Sequence, residues 1–83
     1  MHFSEEEIQA TITRLIFELT YKTISSENEL LVESGILSSI TIAELAVELE
    51  KKFSVSISFM EIQKENFNTL PAIKKLIKNK LNK

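Results

Sequence analysis

The sequence has no cysteine, no tryptophan, one glycine, one proline and one histidine. Without cysteine, the chain offers no disulfide, no thiolate metal site and no thiol nucleophile of its own. The single histidine, His2, follows the first methionine, so we expect neither histidine-based catalysis nor a histidine metal site. Since only Gly35 and Pro71 interrupt the 83 residues, the sequence favours long helices.

Long apolar runs are absent as well. No stretch approaches the roughly 20 apolar residues that span a bilayer, and no secretory signal is visible, so we expect a cytoplasmic protein without membrane insertion. Apolar residues make up 43% of the chain and charged residues 27%, which is the balance of a globular protein. We therefore expect a single domain over residues 1–83.

Aspartate is also missing, so all twelve acidic residues are glutamates. All twelve precede Pro71, and only five of the ten basic residues do. The part of the chain before Pro71 is therefore acidic, which favours basic protein partners over nucleic acid. The remaining basic residues follow Pro71 and could contact an anionic membrane or nucleic acid. Lysines in a final helix also complement its dipole and aid solubility, which is the interpretation we favour. These residues are Lys74, Lys75, Lys78, Lys80 and Lys83.

The first helix has clear start signals in the sequence. Ser4 and Glu7 have the spacing of a capping box, and Phe3 and Ile8 have that of a hydrophobic staple. Apolar residues then recur at helical spacing, and the helix should end near Tyr21. The expected buried face consists of Ile8, Ile12, Leu15, Ile16 and Leu19.

Two connections are expected to pack inward. The first runs from Lys22 to Leu37, and the adjacent apolar residues Leu30–Val32 predict that it is pinned across the core. The second, Ser54–Phe59, alternates as a strand would. Because it has no partner strand, we interpret it as an extended connector whose apolar residues face the core.

A second helix is predicted from Ser38 to Phe53. Ser38 is a good N-cap, and Leu37 and Ile42 repeat the staple spacing. Its core face is expected to comprise Ile42, Leu45, Ala46, Leu49 and Phe53.

The remaining sequence predicts two more helices. Glu61–Phe67 is expected to form a short one, and Thr69 can cap a last helix that has Pro71 in its first turn. The fold class that follows is all-α, an up-and-down four-helix bundle of three main helices and a short one. The last helix should bury Leu70, Ile73, Leu76, Ile77 and Leu81.

The second helix carries an additional apolar stripe, formed by Ile40, Ala43 and Val47. At 100° per residue this stripe is separated from the core face by roughly 135°, so one helix cannot bury both. Glu44 and Glu48 flank the stripe, together with Glu50 and Lys51. The arrangement indicates either a docking surface with an acidic rim or scattered surface aliphatics.

No catalytic set can be assembled from these residues. Twelve glutamates without a histidine, cysteine or aspartate partner could supply at most a carboxylate pair, and no spacing singles one out. We therefore expect no enzymatic activity and no metal site.

At the start of the second helix the sequence resembles the acyl and peptidyl carrier protein family. The family signature is a glycine, a short spacer and Asp-Ser-Leu opening an acidic helix, and Gly35–Leu45 here is GILSSITIAEL. Leu49–Phe53 matches the family's Leu-Glu-x-x-Phe, and Glu65–Leu70 with Ile73 is similar to the Asn-Phe-x-Thr ending of many discrete carriers. The resemblance covers about Leu30–Ile77, and the first helix suits the family's four-helix bundle.

The resemblance implies that Ser39 bears 4′-phosphopantetheine. Its hydroxyl would attack the pantetheinyl phosphate of coenzyme A in a reaction catalysed by a phosphopantetheinyl transferase. A phosphodiester there would face free backbone N–H groups and the positive end of the helix dipole. The arm would supply the thiol that this chain lacks and would hold an acyl or aminoacyl group as a thioester.

One position departs from the family pattern, because Ser38 replaces the aspartate before the modified serine. Ser38 caps a helix about as well as aspartate does, but it cannot supply the negative charge that the resemblance places near the transferase and its metal. A scaffold that is never loaded, one that needs a dedicated transferase, and modification at Ser38 itself all remain open.

The function that the resemblance implies is a monomeric carrier that presents thioester-bound intermediates to partner enzymes. Its partners would be the transferase, an acyl- or aminoacyl-loading ligase and downstream synthases, docked around Ser38, Ile40, Ala43, Glu44, Val47 and Glu48. Fatty-acid, polyketide, nonribosomal-peptide and D-alanyl carriers share this framework. The alternatives are an interaction module that is not phosphopantetheinylated, or a helical domain that contacts membrane or nucleic acid through its basic end.

Overall fold

The computed structural model describes residues 3–82, so the expectation for His2 lies outside the described residues, as does Lys83. The chain forms α1 (Glu5–Thr20), α2 (Ser39–Phe53), a 3-10 helix (Phe59–Glu61), α3 (Lys64–Phe67) and α4 (Leu70–Leu81). Between residues 3 and 82 there is no strand. The predicted all-helical bundle of three main helices and a short one is confirmed.

Local capping starts the main helices where the sequence predicts. Glu7 N donates to Ser4 Oγ at 3.1 Å and Ser4 N donates to Glu7 Oε1 at 2.8 Å, which completes the capping box of α1. In α4, Ala72 N donates to Thr69 Oγ1 at 3.2 Å. Each cap satisfies N–H groups that have no partner within the helix.

Contacts between the helix ends define their directions. The Phe3 ring, beside the start of α1, meets the Phe53 ring at the end of α2 at a centroid distance of 4.9 Å. Lys78 Nζ donates to Glu5 at 2.8 Å and Lys74 Nζ donates to Gln9 at 2.9 Å. The later residue of α4 thus contacts the earlier residue of α1. Both α2 and α4 therefore run antiparallel to α1.

The core is made of the predicted apolar faces. Leu19 and Leu81, at the helix ends, are only half-buried. The buried side chains are Ile8, Ile12, Leu15 and Ile16 of α1; Ile42, Leu45, Ala46, Leu49 and Phe53 of α2; Leu70, Ile73, Leu76 and Ile77 of α4; and Leu31, Ile36, Leu37, Ile57 and Phe67 of the segments between them.

The first connection, between α1 and α2, is held across the core by two of the three apolar residues that the sequence predicts. Leu31 is fully buried and Val32 is half-buried, but the expectation for Leu30 is wrong, because its side chain is 47% exposed. Leu31 N donates to Asn68 O at 2.7 Å and Val32 N donates to Asn68 Oδ1 at 3.0 Å. These bonds fix the backbone so that Leu31 points inward, and the preceding side chain is left at the surface.

The second connection is extended only as far as Ser58. Ile57 is buried, whereas the expectation for Phe59 is wrong, because its side chain is 89% exposed. The chain turns into the 3-10 helix at Phe59, and this turn ends the alternation that would have placed the phenyl ring inside. The predicted helix over Glu61–Phe67 is likewise split between the end of the 3-10 helix and α3.

Three of the four lysines of α4 bind side chains elsewhere in the bundle. Lys74 lies within 3.9 Å of Glu5 and 3.8 Å of Glu27, and Lys80 Nζ lies 2.6 Å from Glu61 Oε1. The sequence predicts either contact with a membrane or nucleic acid, or complementation of the helix dipole and solubility. It does not predict these ion pairs. Among the described residues, no helix has the length and hydropathy needed to cross a membrane.

Candidate functional site

Ser38 is occupied as the N-cap of α2. Thr41 N donates to Ser38 Oγ at 3.2 Å, and Ser38 N donates to Thr41 Oγ1 at 2.6 Å. Thr41 thus takes the reciprocal position that glutamate or glutamine holds in the usual capping box. The Ser38 hydroxyl is committed to starting the helix, as the sequence predicts.

Ser39, the next residue, is the first residue of α2 and is exposed. Within residues 3–82 its hydroxyl makes no hydrogen bond, so no internal partner competes for it. It lies in the first turn, where backbone N–H groups and the helix dipole favour an anion. The two neighbouring serines therefore differ chemically: one is a structural cap and the other is an available nucleophile.

The turn before these serines is held rigidly. Gly35 has φ +86°, a left-handed conformation that favours glycine, and its N–H donates to Val32 O at 3.1 Å. Leu37 is buried, and its N–H donates to Leu31 O at 2.9 Å. Lys22, just after α1, donates to Gly35 O at 3.2 Å. The start of α2 is thus anchored to the core on one side and to the end of α1 on the other.

A groove of about 390 Å³ opens beside Ser39. Lys64 on its wall forms an ion pair with Glu33, the two charged atoms lying 2.9 Å apart. The hydrogen bond from Lys64 lowers the pKa of Glu33 below its ordinary value. No sequence pattern pairs these two residues, which come together only because the first connection lies against α3. The groove is lined by Val32, Ser39, Ile42, Ile62, Gln63 and Lys64.

The second stripe of α2 lies at the surface. Ile40 is 73% exposed and Val47 is 47% exposed, with Ala43 exposed between them. Glu44 is exposed beside the stripe, and Glu48 is half-buried, 3.7 Å from Lys51. The structure thus presents an apolar strip with an acidic border, beginning next to Ser39.

The helical periodicity places Glu50 beside this stripe, but in the structure its carboxylate binds the second connection. Its carboxylate accepts a hydrogen bond from Ile57 N at 2.7 Å and is half-buried. Glu50 therefore fastens the second connection to α2.

A helical bundle that presents an accessible serine at the start of its second helix has the architecture of a prosthetic-group carrier. Comparison with known proteins agrees: residues 10–77 match the family described as the phosphopantetheine attachment site. The chain belongs to this family of phosphopantetheine-binding carrier proteins, and its cofactor is covalently attached 4′-phosphopantetheine.

Individual relatives support the same family. The chain is 34% identical over 64 residues to a D-alanyl carrier protein of Streptococcus suis (strain 05ZYH33), an alignment that covers 76% of this chain and 81% of the relative. It is 33% identical over 64 residues to a D-alanyl carrier protein of Streptococcus sanguinis (strain SK36), with the same coverage of each chain.

The residues present fit such a group. A phosphodiester link needs an accessible hydroxyl at a position that tolerates negative charge, and the first turn of α2 offers one at Ser39. The neighbouring groove offers space beside that hydroxyl, and Lys64 on its wall is a cation.

Proposed function

We propose that this protein carries acyl or aminoacyl intermediates as thioesters on a phosphopantetheine arm attached to Ser39. The observation that carries the proposal is the difference between the two serines of the signature segment. The Ser38 hydroxyl is bound to Thr41, whereas the Ser39 hydroxyl is exposed and has no hydrogen-bond partner within residues 3–82. Ser39 is thus the better nucleophile of the two.

The attachment reaction needs two contributions from this chain. In the transferase active site the Ser39 oxygen forms a bond to the pantetheinyl phosphorus, the bond to the adenosine bisphosphate portion of coenzyme A breaks, and the hydroxyl proton passes to a base of the transferase. The chain itself provides the nucleophile and a helix terminus that stabilises the phosphodiester charge. When attached, the arm supplies the thiol that holds the cargo.

The proposed cargo is an aminoacyl group, with D-alanine as the first candidate. This proposal rests on the relatives described above, which are D-alanyl carrier proteins. Fatty acyl and polyketide groups are the other cargoes to be tested, because carriers of these groups share the framework.

We further propose that the chain acts as a single-domain, monomeric cytoplasmic carrier without catalytic activity of its own. Its partners would be a phosphopantetheinyl transferase, a loading ligase and downstream synthases. These would dock on the surface formed by Ser38, Ile40, Ala43, Glu44, Val47 and Glu48, which we call the α2 docking surface.

Loading tests the attachment site directly. Incubation with coenzyme A and a broad-specificity phosphopantetheinyl transferase should raise the intact mass by one phosphopantetheinyl group, and peptide mapping should place it on Ser39. Ser39→Ala should remain folded and gain no mass. Ser38→Ala is the matched control and should still be loaded. Label on Ser38, or undiminished labelling of Ser39→Ala, would overturn the assignment.

Cargo is tested on the loaded protein. With ATP and a streptococcal D-alanine–carrier ligase, the holo-protein should gain one alanyl group from D-alanine and much less from L-alanine. Hydroxylamine should release the group, as expected for a thioester. If a fatty acyl ligase loads the protein faster than the D-alanine ligase does, the proposed cargo is wrong.

The second candidate function, an interaction module that is never loaded, is the weaker one, because it disagrees with the cofactor of the family to which the chain belongs. Ser38 in place of the family's aspartate favours it, and the exposed strip from Ile40 to Val47 would serve protein binding alone. This candidate predicts an unchanged mass in the loading experiment with every transferase tried.

A further inference from the structure

Lys64 lines the groove beside Ser39 and, among residues 3–82, is the only charged side chain in that lining. Its ammonium group lies 2.9 Å from a carboxylate oxygen of Glu33. We propose that Lys64 leaves Glu33 and binds the phosphodiester when phosphopantetheine is attached to Ser39. This inference rests on the proposed attachment at Ser39 and assigns the arm a specific partner in this chain.

The existing ion pair is easily given up. The side chains of Lys64 and Glu33 are each about half exposed, and ion pairs of that kind contribute little to stability because water and salt compete for both charges. A phosphodiester also bears a full negative charge and offers two unesterified oxygens to an ammonium group. If Lys64 moves from Glu33 to the phosphodiester, it keeps an anionic partner, and the phosphodiester gains a cationic one.

Lys22 is a second cation near the start of α2. Its ammonium group donates to Gly35 O at 3.2 Å, which holds the end of α1 against the turn before the signature serines. Lys22 does not line the groove, whereas Lys64 and Ser39 both do. The geometry therefore favours Lys64 as the partner of the phosphate.

The exchange should have a local structural consequence. The first connection is tied to the α3 side at Leu31 and Val32 by Asn68, and at Glu33 by Lys64. Loss of the Glu33 contact leaves the Asn68 bonds in place. Backbone changes on loading should therefore be concentrated at Glu33 and Ser34 of the first connection and at Lys64 of α3.

Phosphorus NMR of the holo-protein tests the contact without any enzymatic assay. Lys64→Gln should shift the 31P resonance of the phosphodiester, and Lys64→Arg should restore most of the wild-type value. The matched control is Lys75→Gln, which removes the same charge from an exposed side chain that does not line the groove. Glu33→Gln should keep the wild-type 31P position, because it removes only the competitor for Lys64.

The amide spectra supply a second readout. Loading of the wild type should move the amide signals of Glu33 and Ser34, and this movement should be much smaller in Glu33→Gln. An unchanged 31P resonance in Lys64→Gln, or a shift produced by Lys22→Gln instead, would overturn the inference. The intact mass distinguishes this failure from failure of the proposed function: an absent mass gain rejects loading itself, whereas a loaded protein whose 31P signal ignores Lys64 rejects only the contact.

Discussion

Ser38 and Ser39 are adjacent, but their backbone conformations differ, and so do the roles of their side chains. Ser38 has extended dihedral angles, φ −99° and ψ 174°, and its side chain folds back onto Thr41. Ser39 has already entered the helix, so its side chain points outward and forms no such bond. The same side chain therefore caps the helix at Ser38 and lies exposed at Ser39.

Ser38→Asp should change the loading rate more than the stability. An aspartate oxygen can accept from Thr41 N as the serine hydroxyl does, so the free energy of unfolding should change by less than about 1 kcal/mol. The restored negative charge should speed loading by a generic transferase. Urea unfolding and initial rates of mass gain are the two measurements. Equal rates for the two proteins would show that the missing charge has no functional weight.

Gly35→Ala should destabilise the turn before the signature serines. The φ of +86° is strained for a residue with a Cβ, at a cost of about 1–2 kcal/mol, although no atom lies within 4 Å of the added methyl group. Gly35→Asn is the control and should cost less, because asparagine tolerates left-handed conformations better. Chemical denaturation of both variants checks the prediction. Equal stability of wild type and Gly35→Ala would contradict it.

At the scale of the element, α2 presents two faces that mutation should separate. Leu49 is fully buried, so Leu49→Ala should cost about 2–5 kcal/mol in lost packing. Val47→Ala is the matched control on the exposed stripe, and it should change the free energy of unfolding by no more than about 0.5 kcal/mol. Thermal and urea unfolding measure both. A large loss of stability in Val47→Ala would mean that this stripe is part of the core.

Charge on the same helix should affect association more than folding. The double variant Glu44→Lys and Glu48→Lys should remain folded, because exposed or half-exposed charges contribute little to stability. Loading by a basic transferase should slow, most strongly at low salt, where electrostatic steering is greatest.

Glu18→Lys on α1 is the control for that experiment, since it reverses an exposed charge on a different helix. Its loading rate should stay close to that of the wild type. Unfolding of the double variant, or loading at the wild-type rate at low ionic strength, would argue against the proposed surface.

At the scale of the whole molecule, charged residues of α4 hold the irregular segments in place. Lys80 binds Glu61 at the end of the 3-10 helix, and Lys74 binds both the start of α1 and Glu27 of the first connection. Glu61 also accepts from Ser58 N at 2.9 Å. Lys74, Lys78 and Lys80 thus form ion pairs within the protein.

These contacts predict how stability depends on pH. The Lys80 ammonium group, together with Ser58 N–H, lowers the pKa of Glu61 from 4.5 to about 2. Because the folded-state pKa is the lower one, this contribution is fully present above the unfolded value and is lost as the pH falls from about 4.5 towards 2. Glu61→Gln should therefore have a lower thermal midpoint than the wild type at pH 7, and the difference should shrink over this range.

Glu65→Gln serves as the control for this pH series. Glu65 is exposed on α3 and forms no ion pair with any residue between 3 and 82. Its thermal midpoint should follow that of the wild type at every pH. A gap between wild type and Glu61→Gln that stays constant down to pH 2 would contradict the role given to the carboxylate.

The sequence alone determined the features that depend on local interactions. A cap and its partner lie three residues apart, and an apolar face repeats every three or four, so the starts of α1, α2 and α4 and nearly all of their buried residues could be predicted. The exposed stripe of α2 follows from the same periodicity. Ser39 was singled out by its register in a signature segment, and its attachment role stays a prediction.

Only the tertiary structure decided what depends on residues far apart in the chain. Leu30 and Phe59 look as apolar as their neighbours, but backbone bonds to Asn68 and a 3-10 turn leave them outside. The groove beside Ser39 and the pairing of Lys64 with Glu33 exist because the first connection packs against α3. No repeating pattern in the sequence predicts such contacts, because their geometry is set by how the helices and connections pack against one another.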